Sequence, residues 1–86
     1  MKTNFQMLRE LLEKYHPEQR GVISWAEYKM IRDTLCIGRM NVLQLRNLRD
    51  FVVAHMGKSE DMEDWDRMSA ITYIIDIRIN ELGGEI

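Results

Sequence analysis

Apolar residues recur at steps of three and four in four successive segments of this chain, and that spacing restricts the fold more than any other feature. Such steps place side chains on one face of an α-helix, whereas side chains on a strand alternate between its faces. The pattern therefore predicts an all-α fold, a compact bundle of four helices in a single domain over residues 1–86. The predicted helices span 4–15, 24–37, 41–56 and 59–82.

The last of these segments leaves a choice between helix and strand. Residues 71–79 are rich in β-branched side chains, which favour strands. A strand needs a second strand to pair with, and the sequence offers no other long strand candidate. We therefore prefer a helix over these residues.

Local signals mark where the predicted helices begin and end. Thr3 and Ser24 each stand three residues before a Gln or a Glu, which is the spacing of a capping box, and Asn41 caps the third helix. Gly38 should end the second helix as a left-handed residue, and Ser59 should open the fourth. The connections are short, so the first two helices should form a helix-loop-helix hairpin.

Composition sets the broad class of the protein. Hydrophobic residues make up 45% of the chain and the net charge is −2, which excludes a disordered chain, and one cysteine excludes a disulfide framework. No apolar run approaches the roughly 20 residues that span a bilayer. We expect a soluble, cytoplasmic protein of a reducing compartment, with no membrane association.

Residues 16–27, with the sequence HPEQRGVISWAE, resemble the twelve-residue loop of an EF-hand, and a helix with an apolar stripe flanks them on each side. The turn glycine, the apolar eighth residue and the acidic twelfth residue of that loop correspond to Gly21, Ile23 and Glu27. The first, third and fifth positions, which should present oxygen ligands to calcium, are His16, Glu18 and Arg20. The resemblance implies an EF-hand-like backbone whose calcium ligands are lost; the alternative is an ordinary loop turned by Gly21.

No catalytic, metal-binding or cofactor motif is complete in the sequence. Cys36 is predicted on the apolar side of the second helix, where a thiol usually only fills space. One cysteine with two separated histidines, His16 and His55, supplies no zinc-site spacing. The carboxylates of residues 60–66 are better interpreted as a solvated first turn than as an acid–base pair. We expect a protein that is not an enzyme and that needs neither metal nor cofactor.

Charge is distributed unevenly along the chain. Residues 1–28 are balanced, residues 29–49 carry a net charge of +4, and residues 50–86 carry −6. A dipolar distribution of this kind bears on association with partners rather than on the fold. It leads to two hypotheses from different functional classes.

The basic middle segment supports the alternative hypothesis, a small DNA-binding regulator. Helices 24–37 and 41–56 would form a helix-turn-helix, and helix 41–56 would contact DNA through Arg39, Arg46 and Arg49. The whole chain is acidic, however, and non-specific DNA affinity depends on broad neutralisation of phosphates. We prefer the interpretation that these arginines pair with the acidic fourth helix inside the fold, so nucleic acid is the less favoured partner.

The acidic segment supports the preferred hypothesis, a non-catalytic protein–protein interaction module. Trp and Met are common anchors of interfaces, and neighbouring carboxylates would steer a basic partner. The candidate contacts are Met62, Trp65 and Met68 together with Glu60, Asp61 and Asp64. The competing interpretation of Trp65 is that its ring closes one end of the core.

The size and acidity of the chain fit a small adaptor or inhibitor of the kind that phages and mobile elements encode, docking onto a basic protein surface. Helix 41–56 has the widest apolar arc and should be the most enclosed. Helices three and four together carry more apolar surface than one small core covers. A homodimer is therefore the second association that we expect.

Overall fold

A computed structural model describes residues 2–84 and confirms the all-α bundle. The elements in chain order are α1 (Asn4–Lys14), α2 (Trp25–Thr34), a 3-10 helix (Ile37–Arg39), α3 (Val42–Met56) and α4 (Met62–Glu81). Residues 71–79 lie inside α4, so the prediction of a helix there is confirmed. Over residues 2–84 there is no strand, only an isolated bridge between Gln19 and Val22. None of the helices described combines the length and the apolarity that crossing a membrane requires.

Three of the four helices begin at a capping box, in which the N-cap side chain and the third helical residue exchange hydrogen bonds with each other's backbone N–H. The three pairs are Thr3 with Gln6, Ser24 with Glu27, and Asn41 with Gln44. These bonds satisfy N–H groups that a helix leaves without partners at its first turn. The predicted starts of α1, α2 and α3 are therefore confirmed, because Thr3, Ser24 and Asn41 are the N-cap residues of these helices.

The fourth helix begins later than predicted. Asp61, not Ser59, is its N-cap, and the Asp61 carboxylate accepts a hydrogen bond from the N–H of Glu63 at 2.9 Å. The Ser59 hydroxyl instead accepts from the N–H of Asp61 at 3.2 Å and donates to Asp64 at 2.7 Å. Ser59 therefore organises the turn that precedes the helix.

The turn after α2 also differs from the prediction. α2 ends at Thr34, and the residue in the left-handed conformation is Cys36, with φ of 54°, rather than Gly38. Leu35 and Ile37 on either side of it are both fully buried, so a sharp turn at Cys36 allows both to reach the core. The Cys36 thiol is exposed as a result, and its predicted place on an apolar helix face is wrong.

The core is centred on α3 and α4, which form the most extensive helix pair, while α1 packs on α2 and α3, and α2 packs on α4. Its largest fully buried side chains are Leu8, Leu11, Tyr15, Ile31, Leu35, Ile37, Leu45, Leu48, Ile71, Ile74, Ile75 and Ile79. The wide apolar arc of α3 is not fully enclosed, because Leu43 is 68% exposed and Val53 is 40% exposed. That arc therefore extends beyond what this core covers.

Candidate functional site

One side of α4 points away from the core and carries large apolar side chains. The side that packs inwards is formed by isoleucines at most 1% exposed: Ile71, Ile74, Ile75 and Ile79. At 3.6 residues per turn the opposite side passes through Met62, Trp65, Ser69 and Tyr73, which we call the outward face of α4. Three large residues of this face are exposed: Met62 by 54%, Trp65 by 41% and Tyr73 by 59%.

Trp65 lies at the edge of the fold and does not fill the core. Its indole N–H donates to the carbonyl of Ser59 at 2.7 Å, and 41% of the residue stays exposed. That hydrogen bond orients the ring and satisfies its polar group, while much of its apolar surface stays accessible. The interpretation of Trp65 as a plug for the core does not fit this placement.

Carboxylates surround the N-terminal end of the outward face. Glu60 and Asp61 are exposed, whereas Asp64 is half-buried and accepts hydrogen bonds from the Ser59 hydroxyl and from Arg67, both at 2.7 Å. The hydrogen bond from Ser59 is the largest cause of the lowered pKa of Asp64, and Arg67 lowers it further. Asp64 therefore stays ionised at neutral pH and contributes to the negative charge of this end.

Arg67 joins α4 to the C-terminal end of α1. Its Nε donates to the carbonyl of Tyr15 at 2.9 Å, its Nη1 donates to Asp64 at 2.7 Å, and its Nη2 lies 2.9 Å from both Glu63 and His16. The Arg67 side chain is only 12% exposed. The pKa of Glu63 is lowered first by its hydrogen bond with His16 and then by the charge of Arg67. This cluster fixes the position of the first turns of α4 against the rest of the fold.

A groove lies between α4 and the loop that joins α1 to α2, and it adjoins the outward face. Its volume is about 550 Å³, and Tyr73 on α4 and Val22 on the loop both line it. Gly21, whose φ of 77° suits glycine, turns the loop at this point. An ion pair between Arg20 and Asp66, 3.4 Å apart, connects the loop to α4 beside the groove. Tyr73 therefore belongs both to the outward face and to the groove.

Two residues of the loop over residues 16–27 contact α4. His16, at its first position, lies 2.9 Å from Glu63, and Arg20, at its fifth position, pairs with Asp66. These contacts hold the loop against the acidic helix. The resemblance to an EF-hand stays a prediction.

The remaining predicted contact residue, Met68, is only partly accessible. It lies off the outward face and packs against the buried core, so its thioether is less available to a partner than that of Met62. Met62, Trp65, Glu60 and Asp61 are all exposed around the start of α4. The fold therefore brings four of the six predicted contact residues to one accessible surface.

The three arginines of the alternative hypothesis have different environments. Arg49 on α3 donates from Nε to Asp76 on α4 at 2.7 Å, as expected if the basic segment pairs with the acidic helix. Arg46 is exposed on α3. Arg39 is exposed on the 3-10 helix, at the wall of a second cavity of about 710 Å³ that also contains Cys36. Arg49 is therefore already engaged inside the fold.

Sequence reasoning missed Tyr73 and Val22. The signal for Tyr73 was present, because Tyr73 continues the helical spacing of Met62, Trp65 and Ser69. Val22 could not be found, since its place beside Tyr73 depends on how the loop folds back onto α4.

Within residues 2–84, no three His, Cys, Asp or Glu side chains come together in an arrangement that could hold a metal ion. No protein-family model, curated protein or solved structure matches the chain.

Proposed function

We propose that this chain is a non-catalytic protein–protein interaction module, a small acidic adaptor or inhibitor that docks through the outward face of α4 onto a basic surface of its partner. The observation that carries the proposal is the joint exposure of Met62, Trp65 and Tyr73 along one side of a helix whose other side carries four buried isoleucines. Trp and Tyr are enriched among the residues that dominate binding energies.

The shape of this surface suits a protein ligand. Trp65 and Tyr73 are eight residues apart, which on an α-helix is about 12 Å along the axis. The groove beside Tyr73 adds a concave region next to an otherwise convex face. A convex apolar row beside a groove offers a partner both area and a place to insert a side chain.

The charge of the surface indicates a basic partner. Residues 60–67 contain five carboxylates and one arginine. Arg67 neutralises part of this charge from within the fold, but Glu60 and Asp61 remain exposed at the end of the outward face. Complementary charge of this kind raises the rate of encounter and disfavours acidic partners.

The DNA-binding alternative has less support. Arg49 donates a hydrogen bond to Asp76. The accessible side of α3 includes Leu43 and Asp50 as well as Arg46. A carboxylate in the middle of a recognition face would be repelled by phosphates. The experiment below nevertheless distinguishes the two functions.

The test is quantitative affinity capture from the native cells with the wild-type chain and with Met62→Ala/Trp65→Ala/Tyr73→Ala as baits. We expect at least one basic protein to bind the wild type and to be lost with the triple variant. Calorimetry with that purified protein should show that the triple variant binds roughly 30-fold more weakly than the wild type, or worse. This corresponds to a loss of about 2 kcal/mol of binding free energy.

The matched control is Leu43→Ala/Val53→Ala, which removes exposed apolar side chains from α3 and should leave binding unchanged. Far-UV circular dichroism must show that both variants are folded. Equal binding by the triple variant would overturn the proposal. Capture of duplex DNA that resists moderate salt would favour the alternative instead.

A further inference from the structure

The outward side of α2 carries a second surface of opposite charge. Trp25, Tyr28, Lys29 and Arg32 are spaced by three and four residues and therefore share one side of the helix. Ile31, which packs into the core, lies about 120° from Trp25 around the helix, and Tyr28, between the two, is partly buried against the core. Trp25 is 76% exposed, a higher fraction than any other large hydrophobic residue described.

The two aromatic rings of this surface are stacked. The ring centroids of Trp25 and Tyr28 are 5.5 Å apart and their planes differ by 18°. The Tyr28 hydroxyl accepts a hydrogen bond from Arg32 Nη1 at 3.1 Å, which fixes the ring that supports Trp25. The indole is thus held in place from one side, while most of its surface remains open to solvent.

The charges on this side of α2 are positive. Lys29 is exposed, and in residues 2–84 it takes part in no hydrogen bond or ion pair that the structure shows. The guanidinium of Arg32 lies close to Gly38, in the turn that also carries the exposed Arg39. Glu27, the carboxylate next to Tyr28, is only 4% exposed. Asp33 lies on the flank of the helix, about 80° from Trp25 and about 40° from Lys29 at 100° per residue.

We propose that this side of α2 binds single-stranded nucleic acid, with a base stacked on Trp25 and with Lys29 and Arg32 contacting the phosphates beside it. Stacking on aromatic rings along a cationic track is how proteins bind single strands without reading their sequence. Lys29 and Arg32 lie about 6 and 10 Å from Trp25 along the helix axis, and both lie towards the C-terminal end of α2.

An acidic protein fits this surface less well. Trp25 is the one large apolar residue on it with high exposure, and it lines neither of the two cavities described above. A protein interface needs a packed apolar centre around such an anchor, whereas a stacked base needs only an open ring and nearby cations. Duplex DNA fits less well too, because its paired bases are already stacked. This inference uses residues distinct from those of the proposed function and does not depend on it.

The test is fluorescence anisotropy at low salt with a labelled oligothymidylate of about a dozen nucleotides, a length that covers the usual range of single-strand site sizes. We expect salt-sensitive binding by the wild type and a loss of about 5- to 150-fold in Trp25→Ala. Trp65→Ala makes the same chemical change on the acidic surface and should bind as the wild type does. Lys29→Ala should weaken binding and make it less dependent on salt.

Three results would overturn the proposal. The first is no binding of the oligothymidylate at low salt, and the second is equal binding by Trp25→Ala. The third is Trp25-dependent binding of an acidic peptide such as oligoglutamate that matches or exceeds binding of the oligothymidylate, which would assign the surface to acidic proteins. Because Trp25 is 76% exposed, Trp25→Ala should keep the wild-type melting temperature, which separates a binding defect from unfolding.

Discussion

Tyr15 shows how strongly this small fold changes the chemistry of a single residue. It ends α1 with 1% of its surface exposed, near Glu27, a carboxylate that is only 4% exposed. Burial raises the pKa of Tyr15 to about 12, and the charge of Glu27 adds to the effect. Glu27 Oε1 accepts a hydrogen bond from the N–H of Ser24 at 3.1 Å. The fold therefore favours the neutral phenol.

We predict that alkaline pH destabilises the protein through Tyr15. Its folded pKa lies above the ordinary value of 10.0, so the associated stability is fully present below pH 10 and is lost as the pH rises towards about 12. Tyr15→Phe cannot ionise, and its free energy of unfolding should fall less over that interval than that of the wild type. Urea denaturation at a series of pH values measures the difference.

The control for this prediction is Tyr73→Phe, which removes a hydroxyl from a residue that is 59% exposed. Its stability curve should run parallel to that of the wild type at every pH. If the curve of Tyr15→Phe did the same, the phenol of Tyr15 would not be the group that titrates.

At the scale of the elements, the ends of the helices are set by side chains a few residues away. The Asn41 side chain accepts from the N–H of Gln44 at 2.8 Å, and the Gln44 side chain accepts from the N–H of Asn41 at 2.9 Å. This box starts α3, which with α4 forms the centre of the fold. The left-handed turn at Cys36, in contrast, is not marked by a glycine. It allows Leu35 and Ile37, on either side of Cys36, both to be buried in the core.

We predict that Asn41→Ala lowers the free energy of unfolding by about 0.5–2 kcal/mol, the usual cost of losing an N-cap. Chemical denaturation with urea gives this value directly. Asn47→Ala, at an exposed site within α3, is the matched control and should change stability by no more than about 0.5 kcal/mol. Equal losses in both variants would show that the cap contributes nothing specific.

At the scale of the whole molecule, arginines of the same chain neutralise part of the negative charge of α4. Arg49 on α3 and Arg20 on the loop pair with Asp76 and Asp66 of α4. Arg67 adds a connection of another kind, because it satisfies a carbonyl at the end of α1 from a site on α4. These contacts join segments far apart in sequence, and they leave Glu60 and Asp61 accessible at the start of α4.

We predict that Arg67→Met lowers the free energy of unfolding by about 1–3 kcal/mol, because the carbonyl of Tyr15 and two carboxylates lose a charged donor together. Arg9→Met is the matched control. Its pair with Glu13 is 3.9 Å long and the two side chains are 72% and 71% exposed, so its loss should cost well under about 1 kcal/mol. Urea denaturation measures both losses. If Arg67→Met cost no more stability than Arg9→Met, Arg67 would not stabilise the contact between α4 and the end of α1.

The sequence by itself determined the number of α-helices and three of their four starting points, because helical spacing and capping are local and need only neighbours within a turn. It also indicated that Met62 and Trp65 would lie beside carboxylates, since one helical turn brings them together. Tertiary structure decided which apolar residues stayed exposed, which arginine paired with Asp76 and where the loop met Tyr73. Those outcomes depend on contacts between segments distant in sequence, and local spacing carries no information about them. The bundle was therefore predictable from the chain, whereas its binding surfaces became visible only when the helices were packed.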